Sequence, residues 1–150
     1  MGLWNEHEPM LTPAPAAASL VVCSTCRYAE TALTDGAGRH GGTLFADAVA
    51  AVLNTHPCRG RVEIQPMPCL FACSCHCTVY LRSSGRLGYV LGRFRPSRRD
   101  ALALLDYVDG YLANADGVVP YENWPDGVKG HFLVRVPPEG RIWDPPTPTP

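Results

Sequence analysis

The chain has 150 residues, 46% of them apolar, and a formal charge of −1 at pH 7. That length supports one domain with a modest core. The composition fits neither a disordered segment nor a basic nucleic-acid binder. No apolar run approaches the length that spans a bilayer, and Glu6 and Glu8 stand where a secretory signal would carry positive charge. The expectation is a cytoplasmic protein without nucleic-acid or membrane partners.

Residues 1 to 17 are rich in Pro and Ala without periodicity and read as a loose tail. Ser19 to Cys23 is a short β-branched run, consistent with a buried strand. A glycine-rich stretch, Thr34 to Gly42, follows and reads as a flexible connector. Its backbone N–H groups offer donors to an anion or to metal-bound sulfur. Thr43 is placed to cap a helix whose apolar stripe is Phe45, Ala48, Val49, Val52 and Leu53, and Pro57 ends it. Val62 and Ile64 alternate with Glu63 and Gln65 in a second strand.

Thr78 to Arg82 and Leu87 to Leu91 form a third and fourth strand around a Ser83-Ser84-Gly85-Arg86 turn. A second helix starts at Pro96-Ser97 with Asp100 as a capping partner. It carries Ala101, Leu104, Leu105, Val108, Tyr111 and Leu112 inward, and Gly117 suits its end. The stretch from there to Asp144 reads as an irregular extension, and Pro145 to Pro150 as an extended tail. The element order is β-α-β-β-β-α, an α/β sheet, with the domain at residues 18–138 between tails at 1–17 and 139–150.

Six of the seven cysteines fall into two clusters, Cys23-Ser24-Thr25-Cys26 and Cys69-Leu70-Phe71-Ala72-Cys73-Ser74-Cys75-His76-Cys77. Each follows a strand. Two parallel strands joined by a helix bring their carboxyl ends to one sheet rim, where ligands gather in such folds. Clustered thiols in a reducing compartment are metal ligands or redox groups more often than disulfides, and an odd count defeats complete pairing. Four thiolates satisfy either zinc or an iron–sulfur cluster. Cys23, Cys26, Cys69 and Cys73 are the candidate ligands, with Cys77 the leading substitute and Cys75 and His76 further alternatives. Read as extended chain, residues 73, 75 and 77 would point to the same side. Leu70, Phe71 and Ala72 surround the second pair with apolar groups, which suits electron transfer or redox sensing on a [2Fe–2S] cluster. Zinc or cobalt binding in a metal-delivery or interaction module is the alternative.

Other residues carry less. Cys58 reads as a buried apolar residue, and His40 as part of the connector. Arg93, Arg95, Arg98 and Arg99 form a small basic group whose default is solvation, with an acidic redox partner as the sharper reading. A dithiol oxidoreductase built on Cys23 and Cys26, with Pro66 or Pro68 facing them, lacks a helix directly after its first cysteine. No catalytic constellation of carboxylates or of Ser and His is present, so an electron carrier or metal binder is favoured over an enzyme.

The segments Cys23-Ser24-Thr25-Cys26-Arg27, Pro68-Cys69-Leu70-Phe71-Ala72-Cys73 and Cys77-Thr78-Val79 resemble the DUF1636 family of predicted metal-binding proteins. So do Gly85 to Gly92, Asp116 to Pro120 and Val134 to Pro138. The family is similar in turn to the thioredoxin-like [2Fe–2S] ferredoxins. The resemblance implies a thioredoxin-like fold, a bound metal and a link to cobalamin biosynthesis. The implied partner is a redox protein or an enzyme of that pathway, and a homodimer is left open. Two departures stand out. The first spacing, Cys23-x2-Cys26, is short for such ferredoxins, and Phe71 and Ala72 replace the polar pair usual in the second loop.

Overall fold

The computed structural model describes residues 10–14 and 17–144. Of the expected tails, 1–17 lies mostly outside the described residues, and 139–150 does so from residue 145 on. Five strands, β1 (Ala18–Cys23), β2 (Val62–Met67), β3 (Val79–Arg82), β4 (Gly88–Leu91) and β5 (Phe132–Val136), form one sheet in the order β2-β1-β3-β4-β5. Helix α1 (Gly41–Leu53) connects β1 to its parallel neighbour β2, and α2 (Arg98–Ala113) follows β4. The remaining pairings are antiparallel.

β1 is buried along its whole length, as its apolar run Leu20 to Cys23 requires, and Ser19 is buried with it. Register aligns Leu20 with Leu81 and Leu81 with Tyr89, and aligns Val22 with Val79 and Val79 with Leu91. These side chains belong to one core with Phe45, Val49, Leu104, Leu105 and Val108 from the two helices, which pack on each other. Each large apolar side chain taken fully from water contributes about 1.5–3 kcal/mol before cavity and entropy effects. Phe45 stacks on Phe94 at 5.2 Å between ring centroids, and this contact ties the first turn of α1 to the segment ahead of α2.

The predicted helices and first four strands are present, with four differences of detail. Thr43 does not cap α1. His40 holds the N-cap position without a side-chain bond, and the Thr43 hydroxyl donates instead to the Ser24 carbonyl at 3.0 Å. Ser97 does cap α2, accepting from the Asp100 N–H, but the Asp100 carboxylate reaches back to the Arg95 N–H rather than to Ser97. Gly117 lies beyond the helix end, at φ 76 in the turn that follows, where a Cβ would strike the Tyr111 ring. The segment read as an irregular extension contains β5. Its alternation is blurred because it is an edge strand: Val134 is half exposed while Phe132 packs against Tyr89, Tyr107 and Trp124.

The glycine-rich stretch is not a loose connector. The Asp35 carboxylate accepts from the Ala37 and Arg39 N–H groups, and its other oxygen pairs with the Arg39 guanidinium at 3.1 Å. Its far end is packed against backbone. A Cβ on Gly41 would strike the Arg27 carbonyl, and one on Gly42 the Cys23 carbonyl. Glycine is needed at both because α1 starts directly on the turn that carries the first cysteine pair.

Candidate metal centre

The parallel pairing of β1 and β2 sets Cys23 opposite Met67, so the two cysteine segments leave the sheet side by side. The first is held between both ends of the second. Cys23 N–H donates to the Thr78 carbonyl at 3.0 Å and Ser24 N–H to the Met67 carbonyl at 2.8 Å. The Thr25 hydroxyl donates to the Pro68 carbonyl, and the Cys23 sulfur lies 4.0 Å from that same oxygen. Cys26 N–H turns back to the Cys23 carbonyl at 3.4 Å, and Gly42 N–H from the first turn of α1 reaches the Cys26 carbonyl at 3.3 Å.

The second segment is a set of turns, not extended chain. Cys75 N–H donates to the Ala72 carbonyl at 2.8 Å, and the Thr78 hydroxyl donates to the Cys75 carbonyl. Residues 73, 75 and 77 consequently do not share a side. Cys73 is exposed, Cys75 lies against Gly92, and Cys77 is buried with its sulfur 4.0 Å from the Arg27 carbonyl. The alternation argument fails here because Phe71 and Cys77 adopt left-handed backbone, φ 58 and φ 52, which no strand contains. His76 keeps a buried Nδ1 without a partner, and its carbonyl accepts from Arg93 N–H at 2.7 Å.

The electrostatics group the thiols. Burial works to raise the Cys23 thiol, but the Cys26 thiol, the Leu70 and Thr25 backbone and the Thr25 hydroxyl together hold it below its ordinary value. Burial pushes Cys26 up to about 11. The Cys73 thiol is raised chiefly by the neighbouring Cys69 thiolate and further by Cys23, while Arg27 works the other way. Cys77 is pushed up to about 12 by burial, with the charges of Cys26, Asp100 and Cys23 adding to it. Cys23 and Cys26 therefore form one pair, Cys69 and Cys73 a second, and Cys73 feels the charge of Cys23.

Two backbone groups address the sulfurs directly. Thr78 N–H donates to Cys26 at 3.4 Å and Phe71 N–H to Cys69 at 3.3 Å. Such N–H···S bonds are among the means by which proteins stabilise reduced iron–sulfur centres. Sequence reasoning missed both donors, and missed Thr25 and Thr78 as the pins of the site. A threonine beside each cysteine cluster was the available signal. Among the described residues no three Cys, His, Asp or Glu side chains converge on a point that would hold a single ion. The donors stand as two thiol pairs, a set whose chemistry fits zinc or an iron–sulfur cluster. All seven cysteines are free thiols. Cys58 lies elsewhere, buried beneath α2 with its sulfur 3.6 Å from the Leu105 carbonyl.

Residues 20–138 match the family model described as "Protein of unknown function (DUF1636)". The chain belongs to the DUF1636 family. The match runs from inside β1 to just past β5, so the DUF1636 region contains both cysteine clusters and all of the sheet but the first two residues of β1. No curated protein matches the chain. A solved structure titled as a thioredoxin-like [2Fe–2S] ferredoxin from Aquifex aeolicus is similar to this DUF1636 chain. The TM-score is 0.50 at 17% identity, with 85% of this chain and 100% of that chain covered. At that identity the likeness is one of fold, and the DUF1636 chain has the thioredoxin-like α/β fold that its sequence predicts. Among the described residues no helix is long and apolar enough to cross a membrane.

Proposed function

We propose that the protein is a [2Fe–2S] ferredoxin-type electron carrier or redox sensor, with Cys23, Cys26, Cys69 and Cys73 as the cluster ligands. One observation carries this reading: two thiol pairs meet at the carboxyl rim of parallel β1 and β2, with the Cys23 sulfur 4.0 Å from the carbonyl that precedes Cys69. A bound cluster supplies one-electron chemistry. The protein's own part is to hold four sulfurs, to direct N–H groups at Cys26 and Cys69, and to bury Cys26. Cys77, buried against the first pair, is the substitute ligand. A reducing, cytoplasmic setting, in which clustered thiols serve as ligands, belongs to this reading. The link to cobalamin biosynthesis rests on the family resemblance alone and adds no ligand to this assignment.

The test is isolation without air, followed by iron and acid-labile sulfide analysis and an absorption spectrum. The expected result is a brown protein with about two iron and two sulfide per chain. Serine at any of the four ligand positions should lower that content sharply. A colourless protein retaining one equivalent of zinc would overturn the cluster and favour the metal-delivery alternative.

A further inference from the structure

The thiol rim carries features that holding a cluster does not use. Phe71, at the tip of the second cysteine loop, is 94% exposed, and its backbone is left-handed at φ 58. Among the described residues the non-glycine positions with positive φ are Phe71, Cys77 and Arg93, and all three lie in the two loops at this rim. A bulky residue in that conformation is an outlier, and such outliers cluster where binding demands them. Here the chain accepts strain to hold an aromatic ring in water. Met67, at the end of β2 beside it, is also exposed.

Charge is concentrated on the same rim. β1 and β4 both run toward it, so α1 and α2 both begin there and present the positive ends of their dipoles. The Arg27 charge is felt at Cys73, and Arg93 N–H is bonded to the carbonyl of His76. Arg95, Arg98 and Arg99 follow at the start of α2. All five side chains are exposed. Among the described residues none of them enters an ion pair, whereas Arg39, Arg61 and Lys129 do. Of the carboxylates nearby, Asp35 is paired with Arg39, while Asp100 is bonded to the Arg95 N–H and keeps its charge. Glu30 is the exposed carboxylate left beside Arg27. A chain of net charge −1 thus sets five guanidinium groups that enter no ion pair at the rim that carries its thiols.

We propose that this rim is the docking surface for an acidic electron-transfer protein. Phe71 enters an apolar recess of the partner, and Arg27, Arg93, Arg95, Arg98 and Arg99 meet a ring of carboxylates around it. An exposed aromatic anchor with steering charge on the same rim is the pattern of small, quickly exchanging interfaces. The inference rests on the electron-carrier reading and names the chemistry of the partner.

The test uses protein isolated without air and assayed for iron and sulfide. Binding is measured by interferometry on immobilised flavodoxin, an acidic carrier, and on cytochrome c, a basic one. Flavodoxin should bind, and affinity should fall about tenfold or more between low and moderate salt. Arg93→Glu with Arg95→Glu should abolish binding. Phe71→Ser should weaken it about tenfold at every salt concentration. Phe71 buries nothing in the isolated chain, so a melting curve matching the parent will separate lost docking from lost fold. Cytochrome c binding as well as flavodoxin would overturn the proposal. So would equal binding of a DNA duplex without dependence on Phe71. Brown protein that ignores flavodoxin sinks the docking surface alone. Colourless protein that still binds flavodoxin through Phe71 sinks the cluster alone.

Discussion

Gly42→Ala is the substitution that tests most directly how the site is built. A methyl group at this position would fall on the Cys23 carbonyl oxygen, with the Cys23 and Ser24 carbonyl carbons also too close. These are backbone atoms, and they cannot swing aside because the Cys23 and Ser24 N–H groups are bonded to Thr78 and Met67. Helix α1 must therefore lift from the cysteine turn. That loses the Gly42 to Cys26 bond and the Thr43 to Ser24 bond, each worth about 1 kcal/mol net. Residual overpacking adds about 1–3 kcal/mol, while alanine's better helix propensity returns up to about 1 kcal/mol. The net loss is about 3 kcal/mol, a substantial share of a typical domain stability of about 5–15 kcal/mol. With a urea slope of about 2 kcal/mol/M, the unfolding midpoint should fall by about 1.5 M. Iron retention should fall with it, because the Cys26 turn moves. Gly36→Ala is the control: nothing lies within 4 Å of its Cβ, and its midpoint should match the parent. A Gly42→Ala protein with an unchanged midpoint would refute the close-packed turn.

Four further outcomes are expected. Tyr111 donates to the Leu87 carbonyl at 2.6 Å inside the core, so Tyr111→Phe should cost about 1–2 kcal/mol in urea unfolding. Tyr107, whose buried hydroxyl has no hydrogen-bond partner among the described residues, should lose nothing as Tyr107→Phe. Burial raises the ionisation of both hydroxyls well above the ordinary phenol value. The pH dependence follows in sign: below about pH 10 both states keep their protons and stability is complete. Above it the unfolded chain ionises while the folded one resists, so stability should fall by up to about 1.4 kcal/mol per pH unit for each tyrosine. Flat stability between pH 9 and about 11 in urea titrations would contradict the burial of these groups. Finally, Cys58→Ser should keep the parent's iron and sulfide content, since the Cys58 sulfur faces the Leu105 carbonyl and not the thiol rim.

Much of this architecture was legible because periodicity reports burial. The stripes Phe45, Val49 and Val52, and Leu104, Leu105 and Val108, are buried as their spacing requires, and the unbroken run ending at Cys23 lies inside the sheet. The convergence of the two cysteine clusters followed from topology, since a parallel pair has only one carboxyl rim. β5 was hidden because an edge strand needs no strict alternation, and its apolar residues answer to Trp124 and Tyr107 as much as to the sheet. The path of residues 71 to 77 was hidden for another reason. Left-handed turns at Phe71 and Cys77 contradict local preference and are held by tertiary bonds such as Thr78 to Cys75, which no window of sequence reveals. The tightness of Gly41 and Gly42 was misjudged as looseness because glycine serves both ends.

The outer edges of the sheet differ in what they permit. On one side β2 contains Pro66, and Met67 beside it turns its carbonyl inward to Ser24, so the backbone of Pro66 faces away from β1. Proline has no hydrogen to give there, and a strand from another chain would find the ladder interrupted at that rung. On the opposite side β5 offers a full complement of amides. Strand addition, in solution or on the way to aggregation, is therefore favoured at β5, the margin next to Trp124 and remote from β2.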